Sequence, residues 1–337
     1  MDWDKGYRAK YYATVLDPVT FEAIETINIT GGTIQHTDNE LLESADIDLA
    51  NYTFEGEKRI RVWLDTYQES GGMSHTPLFT GIASTPSKNY NGVVQSTSVQ
   101  CYSVLKPAQD MLLQRGWYAP VDIPGKSIIK QLLLPTGINV SFPADDTDAR
   151  LSSSILAENG ENRLSMVWKI ADAMSWIIQI LGDGTVQIGP YNRNSKWMFD
   201  RNDYDILEMS IDIERDWFNC PNVFRAVLGD AVAIAKDEDP ASELSIASRG
   251  REIWAEETDV VLNTDQTLGQ YAMDRLKEYQ NVSLKVNYDR RFVPDILVGD
   301  VITLNYPEQE LVGDYLVTSQ SIDLGYNAKT SEEVIKL

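Results

Sequence analysis

The stretch that decides the fold is Leu297-Val298-Gly299-Asp300-Val301-Ile302-Thr303-Leu304, LVGDVITL, close to the carboxyl end of the sequence. Glycine adopts positive φ without steric cost, and an aspartate side chain can accept hydrogen bonds from the backbone of its own turn. Gly299-Asp300 therefore predicts a turn that reverses the chain, and the apolar run after it predicts a buried strand. We expect Asp300 to be a structural turn residue, so that its substitution disturbs folding or assembly and not a reaction.

The last third of the sequence extends this β pattern on both sides of LVGDVITL. Strands are predicted at residues 222–228, 231–235, 282–289, 300–305, 314–323 and 332–337. One amphipathic helix is predicted among them, and its apolar face is formed by Leu268, Tyr271, Ala272, Leu276 and Tyr279. The run Asp237-Glu238-Asp239-Pro240 predicts an exposed loop, because clustered acids are solvated and proline interrupts a strand.

The first part of the sequence is also predicted to be β-structure. Residues 59–65 alternate charged and apolar side chains, which places Ile60, Val62 and Leu64 on one buried face. About six strands and no convincing helix are expected before residue 105, a pattern typical of a small barrel or sandwich.

Between residues 105 and 189 the apolar residues recur at helical spacing instead. Pro135 is expected to end one helix, and Asn162 is expected to cap the amino terminus of another. Residues 175–188 predict a tight hairpin that turns at Gly182-Asp183-Gly184. The middle of the chain is therefore predicted to be a small α+β unit.

These patterns predict an α+β fold that is mainly β, in which two β-rich, barrel-like domains flank a small α+β insert. The expected division is residues 1–105 for the first β-rich domain and residues 106–215 for the insert and its connection. Residues 216–337 are expected to form the second β-rich domain, with one helix. Similar strand counts at both ends raise the hypothesis that the two β-rich domains are copies of one fold.

The composition indicates a folded protein that no disulfide framework holds together. Of its 337 residues 43% are hydrophobic, enough for a sizeable core, and Cys101 and Cys220 are its two cysteines. No uncharged apolar run of about 18 residues is present, and the first residues lack the pattern of a secretory signal. We expect the chain to stay in the cytoplasm or to leave by another route, and both cysteines to be small buried residues.

The sequence is strongly acidic, since 51 Asp and Glu residues against 29 Lys and Arg residues give a formal net charge of -22. An acidic surface repels nucleic acid, so a protein that tracks phosphates is not expected. Two interpretations of the acids stay open. They form a solvated surface that keeps the protein soluble, or some of them line a channel through which a polyanion slides without sticking.

No pattern in the sequence predicts a catalytic, cofactor-binding or metal-binding residue. His36 and His75 lack a second histidine or cysteine at ligand spacing, so neither is expected to hold a metal. Ser127 and Lys130 have the spacing of a Ser-x-x-Lys pair, but the companion motifs are absent and an exposed helix edge is the simpler interpretation. Asp145-Asp146-Thr147-Asp148 lacks the glycine and distant glutamate of a calcium loop and predicts a solvated loop. We therefore expect no cofactor and no enzymatic activity.

The segment from residue 246 to residue 324 resembles a known family. Its order is Ser248-Arg249-Gly250-Arg251, a helix over residues 266–278, a strand over 282–286, Val301-Ile302-Thr303-Leu304 and Gly313-Asp314-Tyr315-Leu316-Val317-Thr318-Ser319. This order is similar to the carboxyl-terminal domain of baseplate hub proteins from phage tails and phage-derived particles, a group that includes late control protein D. Residues 164–188 and the strand Phe79-Thr80-Gly81-Ile82 also resemble that family. The sequence departs from its pattern at Ser248, where tyrosine is frequent, and at Val298, where proline is common.

The resemblance implies a structural baseplate hub in a trimeric ring, to which each subunit contributes two similar tube domains. Such a ring joins a six-fold tail tube to a three-fold central spike and surrounds the DNA path. The implied partners are copies of the chain itself, the tail tube protein or a tube-adjacent baseplate protein, the central spike protein and the tape measure protein. Neither sequence-specific nucleic-acid binding nor membrane insertion is implied. The implied location is the virion tail baseplate, after assembly in the host cytoplasm.

Two other functions stay open. One is a tail-associated cell-wall hydrolase, although no catalytic set is recognisable in the sequence. The other is a carbohydrate-binding or receptor-binding tail module, since 8 tryptophans and 16 tyrosines could line a sugar groove.

Overall fold

A computed structural model of the chain describes residue 3 and residues 5–50, 52–91, 94–143, 149–201, 207–281, 284–325 and 329–337. Strands predominate and most of them belong to one large sheet, which confirms the predicted α+β, mainly β class. Within these residues, no helix is long and apolar enough to cross a membrane.

Six antiparallel strands near the amino terminus close on themselves as a barrel. They are β1 (Arg8–Leu16), β2 (Ala23–His36), β3 (Glu43–Ala50), β4 (Lys58–Tyr67), β5 (Met73–Asn91) and β6 (Val94–Ser103). The pairing order is β1-β4-β5-β6-β3-β2, and β2 pairs again with β1, so the sheet is closed. Ile60, Val62 and Leu64 are buried in the core of this barrel, as the period-two alternation of β4 predicts.

An α+β insert follows the first barrel and has an apolar core of its own. Its elements are α1 (Lys106–Asp110), β7 (Tyr118–Ala119), α2 (Gly125–Leu133), a 3-10 turn (Leu134–Thr136), β8 (Val140–Ser141), β9 (Ile155–Leu156), α3 (Arg163–Ala173), β10 (Trp176–Ile180) and β11 (Val186–Pro190). Asn162 caps α3 as predicted, because its side-chain oxygen accepts a hydrogen bond from the Ser165 backbone N–H at 2.8 Å. The predicted hairpin is confirmed as the antiparallel pair of β10 and β11.

The rest of the chain forms a second barrel-like set of strands with a smaller unit inserted into it. Its elements are β12 (Ser195–Asp200), β13 (Leu207–Arg215), β14 (Val223–Leu228), β15 (Ala231–Lys236), α4 (Ile246–Arg249), β16 (Trp254–Glu257), α5 (Leu268–Asn281), β17 (Leu284–Arg291), β18 (Val301–Tyr306), a 3-10 turn (Pro307–Gln309), β19 (Leu311–Asp323) and β20 (Lys329–Lys336). The barrel strands pair in the order β12-β18-β19-β20-β17-β13. β14, β15 and β16 form a separate sheet, and α5 packs on its apolar face.

The two barrels share one strand order. If the six strands of each barrel are counted along the chain, both barrels pair them as first, fourth, fifth, sixth, third and second. One pairing differs in direction, because β1 and β4 are antiparallel whereas β12 and β18 are parallel. The shared order supports the hypothesis that the β-rich parts are copies of one fold. The domain limits at residues 105 and 215 stay a prediction, and strand pairing joins residues 195–200 and 207–215 to the second barrel.

The two barrels are joined into one sheet by β2 and β19. Residues 33–36 of β2 pair with residues 320–323 of β19 in antiparallel register. This pairing, called the seam below, continues the pairing of β2 with β3 and of β19 with β20. Ile34 lies opposite Ile322 in the seam, and both are buried in one apolar cluster. Apolar burial therefore reinforces the backbone hydrogen bonds at the joint.

A buried ionic network lies beside the seam in the second barrel. The Arg290 guanidinium donates to the Glu332 carboxylate through Nη2 at 2.5 Å and through Nε at 3.0 Å. The Gln320 amide donates to the same carboxylate at 2.6 Å, and the Tyr288 hydroxyl donates to it as well. Burial opposes ionisation of Glu332, but Arg290 and the other donors outweigh it and hold the pKa of this carboxyl below its ordinary value. Because Gln320 also belongs to the seam, the network holds the end of β19 in one register.

His36 and Glu43 form a second buried polar pair at the same end of the seam. They lie opposite each other on β2 and β3, and Nδ1 of His36 is 3.6 Å from Oε2 of Glu43. Neither carboxyl oxygen of Glu43 has a hydrogen-bond partner in the described part of the chain. Burial raises the pKa of Glu43 well above its ordinary 4.5 and lowers the pKa of His36 from 6.5 to about 4. Burial therefore favours the neutral form of both side chains in the folded protein.

We predict that this pair makes stability depend on pH in two opposing ways. Glu43 holds its proton more tightly in the folded state, so its contribution to the free energy of unfolding is lost as pH rises from 4.5 towards its raised pKa. His36 has a lowered pKa, so its contribution is lost as pH falls from 6.5 towards about 4. Between 4.5 and 6.5 the two slopes therefore oppose each other.

In the variant Glu43→Gln the free energy of unfolding should fall more steeply than in the wild type as pH drops from 6.5 towards 4.5, because only His36 still titrates and no Glu43 slope opposes it. Urea unfolding at about pH 5, about pH 6.5 and about pH 8 measures the free energy of unfolding of the variant and the wild type. Glu238→Gln, in an exposed loop, is the matched control. If Glu43→Gln and the wild type have the same slope between about pH 5 and pH 6.5, the raised pKa of Glu43 is ruled out.

Candidate functional site

The hairpin of β10 and β11, residues 176–190, lies between the two barrels and contacts both; it is called the brace below. At its tip, Thr80 Oγ1 on β5 donates to the Gly182 carbonyl at 2.8 Å. Arg61 Nη2 on β4 donates to the Asp183 carbonyl at 2.7 Å, and Arg61 Nε donates to Thr80 Oγ1 at 2.9 Å. The turn of the brace is therefore fixed to the outer side chains of the first barrel.

The two glycines of the turn are needed for this contact as well as for the turn itself. A Cβ at Gly182 would lie 1.9 Å from the carbonyl oxygen of Pro77, far inside van der Waals contact. Gly184 has φ +84, and a Cβ there would lie 2.9 Å from the Cβ of Thr80. The sequence Gly182-Asp183-Gly184 is thus a hairpin turn, as predicted, that also permits backbone to approach backbone between the insert and the first barrel.

The middle of the brace contacts the turn of LVGDVITL in the second barrel. Gln179 Nε2 on β10 donates to the Val298 carbonyl at 2.9 Å and to Asp300 Oδ1 at 3.1 Å. The other carboxylate oxygen, Oδ2, accepts from Lys196 Nζ on β12 at 2.8 Å and from the Leu297 backbone N–H at 2.8 Å. One carboxylate therefore holds together the brace, β12 and its own turn.

The predicted turn at Gly299-Asp300 is confirmed. Gly299 has φ +91, and the Asp300 backbone N–H donates to the Leu297 carbonyl at 3.1 Å. Asp300 is 6% exposed, and removal of its carboxylate would take an acceptor from Gln179, from Lys196 and from the Leu297 N–H. The Cβ that Gly299 lacks would lie 3.3 Å from Gln179 Nε2, so the glycine also makes room for the brace.

The connection between β2 and β3 of the first barrel packs into the insert. The Glu40 carboxylate on this connection accepts hydrogen bonds from Gln109 Nε2 on α1 and from Ser165 Oγ on α3. The indole N–H of Trp168, also on α3, donates to the Glu40 carbonyl at 3.0 Å. Leu42 from the same connection belongs to the apolar core of the insert. A barrel loop thus ties two helices of the insert to the first barrel.

The equivalent connection of the second barrel, between β13 and β17, also packs against the insert. Arg275 Nη2 on α5 donates to both carboxylate oxygens of Asp172 on α3, at 2.9 and 3.0 Å. Asn263 Nδ2, which precedes α5, donates to the Ala173 carbonyl at the end of α3 at 3.0 Å. Both barrels therefore hold the insert through the connection between their second and third strands.

A partly exposed aromatic cluster lies on β1, β4 and β5 of the first barrel. The rings of Trp63 and His75 stack with centroids 4.2 Å apart and planes 12° apart. The Tyr12 hydroxyl oxygen lies 3.1 Å from Nδ1 of His75, and Oδ1 of Asp65 lies 2.6 Å from the same nitrogen. The His75 side chain is 55% exposed, so a flat ring beside a carboxylate faces solvent.

The other residues that the sequence singled out are not brought together. His36 lies at the seam and His75 in the aromatic cluster, and among the described residues no three His, Cys, Asp or Glu side chains are grouped to hold a metal. Ser127 and Lys130 lie on the exposed side of α2, as expected of a helix edge. Asp145-Asp146-Thr147-Asp148 lies outside the described residues.

Both cysteines are buried and unbonded, as expected. Burial raises the pKa of the Cys220 thiol to about 11 and also raises the pKa of the Cys101 thiol. A thiol reacts as its thiolate, so neither cysteine has the microenvironment of a reactive thiol at neutral pH.

The partners of the brace were not predicted from the sequence. Gln179 and Lys196 reach Asp300 from positions 121 and 104 residues away. From the sequence alone, Arg61 is an ordinary exposed charge on a strand in which charged and apolar residues alternate. The brace fixes the insert relative to both barrels, because its hydrogen bonds join these three units of the fold.

We predict that Gly182→Ala destabilises the protein, because its Cβ would overlap the carbonyl of Pro77 on β5. Overpacking of this kind costs about 1–3 kcal/mol in the free energy of unfolding, measured by urea denaturation. Gly269→Ala is the matched control, since nothing lies within 4 Å of that Cβ on α5 and alanine favours helix. Equal stability of Gly182→Ala and Gly269→Ala would contradict the close contact at the tip.

We predict that Asp300→Ala destabilises the protein by about 1–3 kcal/mol, because the half-buried amide of Gln179, the ammonium of Lys196 and the Leu297 N–H each lose an acceptor. Urea unfolding measures the free energy, and limited proteolysis shows whether the brace opens. Glu238→Ala removes one exposed acid with little effect and controls for net charge. A loss below about 0.5 kcal/mol would show that Asp300 is an ordinary surface turn residue.

The fold of the chain is that of known phage tail proteins. A tail protein from Neisseria meningitidis MC58 superposes with a TM-score of 0.71 at 16% identity, over 97% of this chain and 97% of that one. The 43 kDa tail protein of prophage MuSo2 from Shewanella oneidensis superposes with a TM-score of 0.69 at 12% identity, over 97% and 96% of the two chains.

A secretion-system component shares the fold as well. The Escherichia coli c3393 protein, described as a component of the type VI secretion system with structural similarity to the T4 phage tail proteins gp27 and gp5, superposes with a TM-score of 0.55. The identity is 7%, over 96% of this chain and 76% of that one. No protein-family model and no curated protein matches the sequence at a significant level. The resemblance to tail hub proteins is therefore confirmed at the level of the fold.

Proposed function

We propose that the protein is the structural baseplate hub of a phage or phage-like tail. It would form a ring around the DNA path and join the six-fold tail tube to the three-fold central spike. Its partners would be two further copies of itself, the tail tube protein or a tube-adjacent baseplate protein, the central spike protein and the tape measure protein. Its place would be the virion tail baseplate, after assembly in the host cytoplasm.

The observation that carries this proposal is the shared strand order of the two barrels within one chain. Three copies of a chain with two such barrels present six similar units around an axis, while the insert repeats only three times. A ring of this kind offers six-fold features to one neighbour and three-fold features to another. That is the geometry a junction between a tube and a spike requires.

The seam and the brace supply the rigidity that such a junction needs. The seam makes one sheet of both barrels, and the brace is hydrogen-bonded to Thr80 in the first barrel and to Asp300 in the second. The likeness to solved tail proteins over nearly the whole chain supports the same assignment. We infer that the protein acts by assembly and performs no covalent chemistry itself.

The strong negative charge has a use in this proposal. A net charge of -22 on each copy would let part of the acids face the bore of the ring, where DNA would pass with little adhesion. Sequence-specific nucleic-acid binding and membrane insertion have no part in this function.

A second candidate is a carbohydrate-binding tail module. The stacked rings of Trp63 and His75 with the Asp65 carboxylate beside them form a flat aromatic surface of the kind that binds sugar rings. Binding of the isolated protein to a glycan array, lost in Trp63→Ala, would favour this candidate. The hub proposal predicts no glycan binding.

The hub proposal is tested by assembly of the purified chain with the tail tube protein and the central spike protein of the same particle. Light scattering after size exclusion should give the mass of a trimer that binds both proteins at once. A monomer that binds neither protein at high concentration would overturn the proposal. Glu238→Gln, in an exposed loop, is the control that should assemble as the wild type does.

A further inference from the structure

We propose that adjacent copies of the chain pair edge to edge, with residues 87–91 of β5 in one copy against residues 211–215 of β13 in the next. This contact would repeat between chains the seam that joins the two barrels within a chain. The inference rests on the proposed function, since it names the surface through which the ring closes.

The first step is the equivalence of β5 and β19, each the fifth strand of its barrel. Both strands carry a register shift at the same relative place, between Ala83 and Thr85 in β5 and between Val317 and Ser319 in β19. Beyond the shift β19 leaves β18 and pairs with β2 to form the seam. A bulge bends a strand and redirects its free edge, so the same segment of β5 is the counterpart of the seam segment.

The second step is the equivalence of β2 and β13, each the second strand of its barrel. The seam uses residues 33–36 of β2, whose other edge pairs with β3. Residues 211–215 of β13 likewise pair on one edge with the third strand of their barrel, β17. They are therefore the counterpart of the segment of β2 that takes part in the seam.

The third step is that both counterpart edges are open in the described part of one chain. β4 pairs with β5 only as far as Lys58 opposite Ala83, and residues 85–91 pair with β6 alone. β13 is the end strand of its sheet and pairs with β17 alone among the described strands. An open edge exposes backbone donors and acceptors that another strand can satisfy. Pro86 has no backbone N–H, so the pairing is placed on the residues after it.

The charges on the two edges are complementary. Lys88 is exposed on β5, and residues 84–91 contain no acid. Asp212 and Glu214 are exposed on β13, Ile213 between them is 46% exposed, and Arg215 at the end of the segment is paired with Glu243 at 3.5 Å. A contact between β5 and β13 brings a lysine to two carboxylates, whereas a contact of β13 with its own copy would bring carboxylates together. We therefore infer that the β5 edge of one copy binds the β13 edge of the next copy. This is a head-to-tail contact, the type of contact that can close a ring.

Cysteine cross-linking tests this pairing directly. Ser87→Cys is introduced in one tagged chain, and Ile213→Cys, Glu214→Cys or Arg215→Cys in a second, differently tagged chain, to scan the register. Paired strands bring Cα atoms to about 4.5–5.5 Å, within reach of a disulfide. Cys101 and Cys220 are buried and do not compete. Thr20→Cys, in an exposed loop, replaces Ser87→Cys in the control pair.

After co-expression and mild oxidation, one of the three mixed pairs should give a covalent dimer that joins both tags, and the control pair should not. A β13 cysteine that cross-links to its own copy would overturn the head-to-tail arrangement. A trimer that yields no mixed cross-link at any of the three positions would overturn the strand pairing and leave the hub proposal standing. A chain that stays monomeric with its tube and spike partners would overturn both.

Charge reversal gives an independent readout. Lys88→Glu should weaken self-association about fivefold at each contact, because like charges face each other across the strands. Glu214→Lys in the same chain should recover most of the loss, and Lys10→Glu, on β1, should have no effect. Equal self-association of Lys88→Glu and the wild type by sedimentation would contradict the pairing.

Discussion

Backbone hydrogen bonds across the seam are the interaction on which the rest of the structure depends. Four consecutive residue pairs between β2 and β19 make one sheet of two barrels, so neither barrel can turn without breaking them. An unpaired edge at that place would expose backbone groups that folding must otherwise satisfy. The brace can reach Thr80 and Asp300 together only because the seam fixes the distance between the barrels. The sheet thus fixes the positions of the two barrels, and the insert then stabilises that arrangement.

Buried polar groups near the seam select its strand register more than they raise the free energy of unfolding. An ion pair such as Arg290 with Glu332 recovers little net free energy once desolvation is counted. A shift of β19 by one residue, however, would turn Gln320 away from Glu332 and expose Ile322. The network therefore stabilises one register over its neighbours. That selectivity would suit a joint repeated around the proposed ring.

Local patterns in the sequence predicted the elements whose signal is local. The alternation around Ile60, Val62 and Leu64 predicted a buried strand face, Asn162 predicted a helix cap, and Gly299-Asp300 predicted a turn. Tyr279 shares the face of α5 that packs on the sheet, with its ring 5.8 Å from that of Phe224. It is 46% exposed because it lies near the end of the helix. Whether a segment forms a helix, a strand or a turn could be predicted from residues close together in the sequence. The fold class could then be predicted from the types of the segments.

Long-range partners could not be predicted in the same way. β12 and β13 lie in a polar, aromatic stretch that looked like a connection, and they become strands by pairing with β18 and β17, about 75–105 residues later. The contacts of Asp300 with Gln179 and Lys196 depend on how three units dock. Residue patterns predicted two β-rich ends around an insert and the resemblance to tail hub proteins agreed with them, while the brace and the seam required the structure.

The central claim is that the two barrels of one chain are equivalent units of a ring. Electron microscopy of the protein assembled with its tube and spike partners tests it most directly, through the symmetry of two-dimensional class averages viewed down the axis. The account predicts six similar barrel densities around a central bore, with the insert repeated three times. A two-fold dimer, or a particle in which the two barrels of each chain lie at different radii, would contradict it.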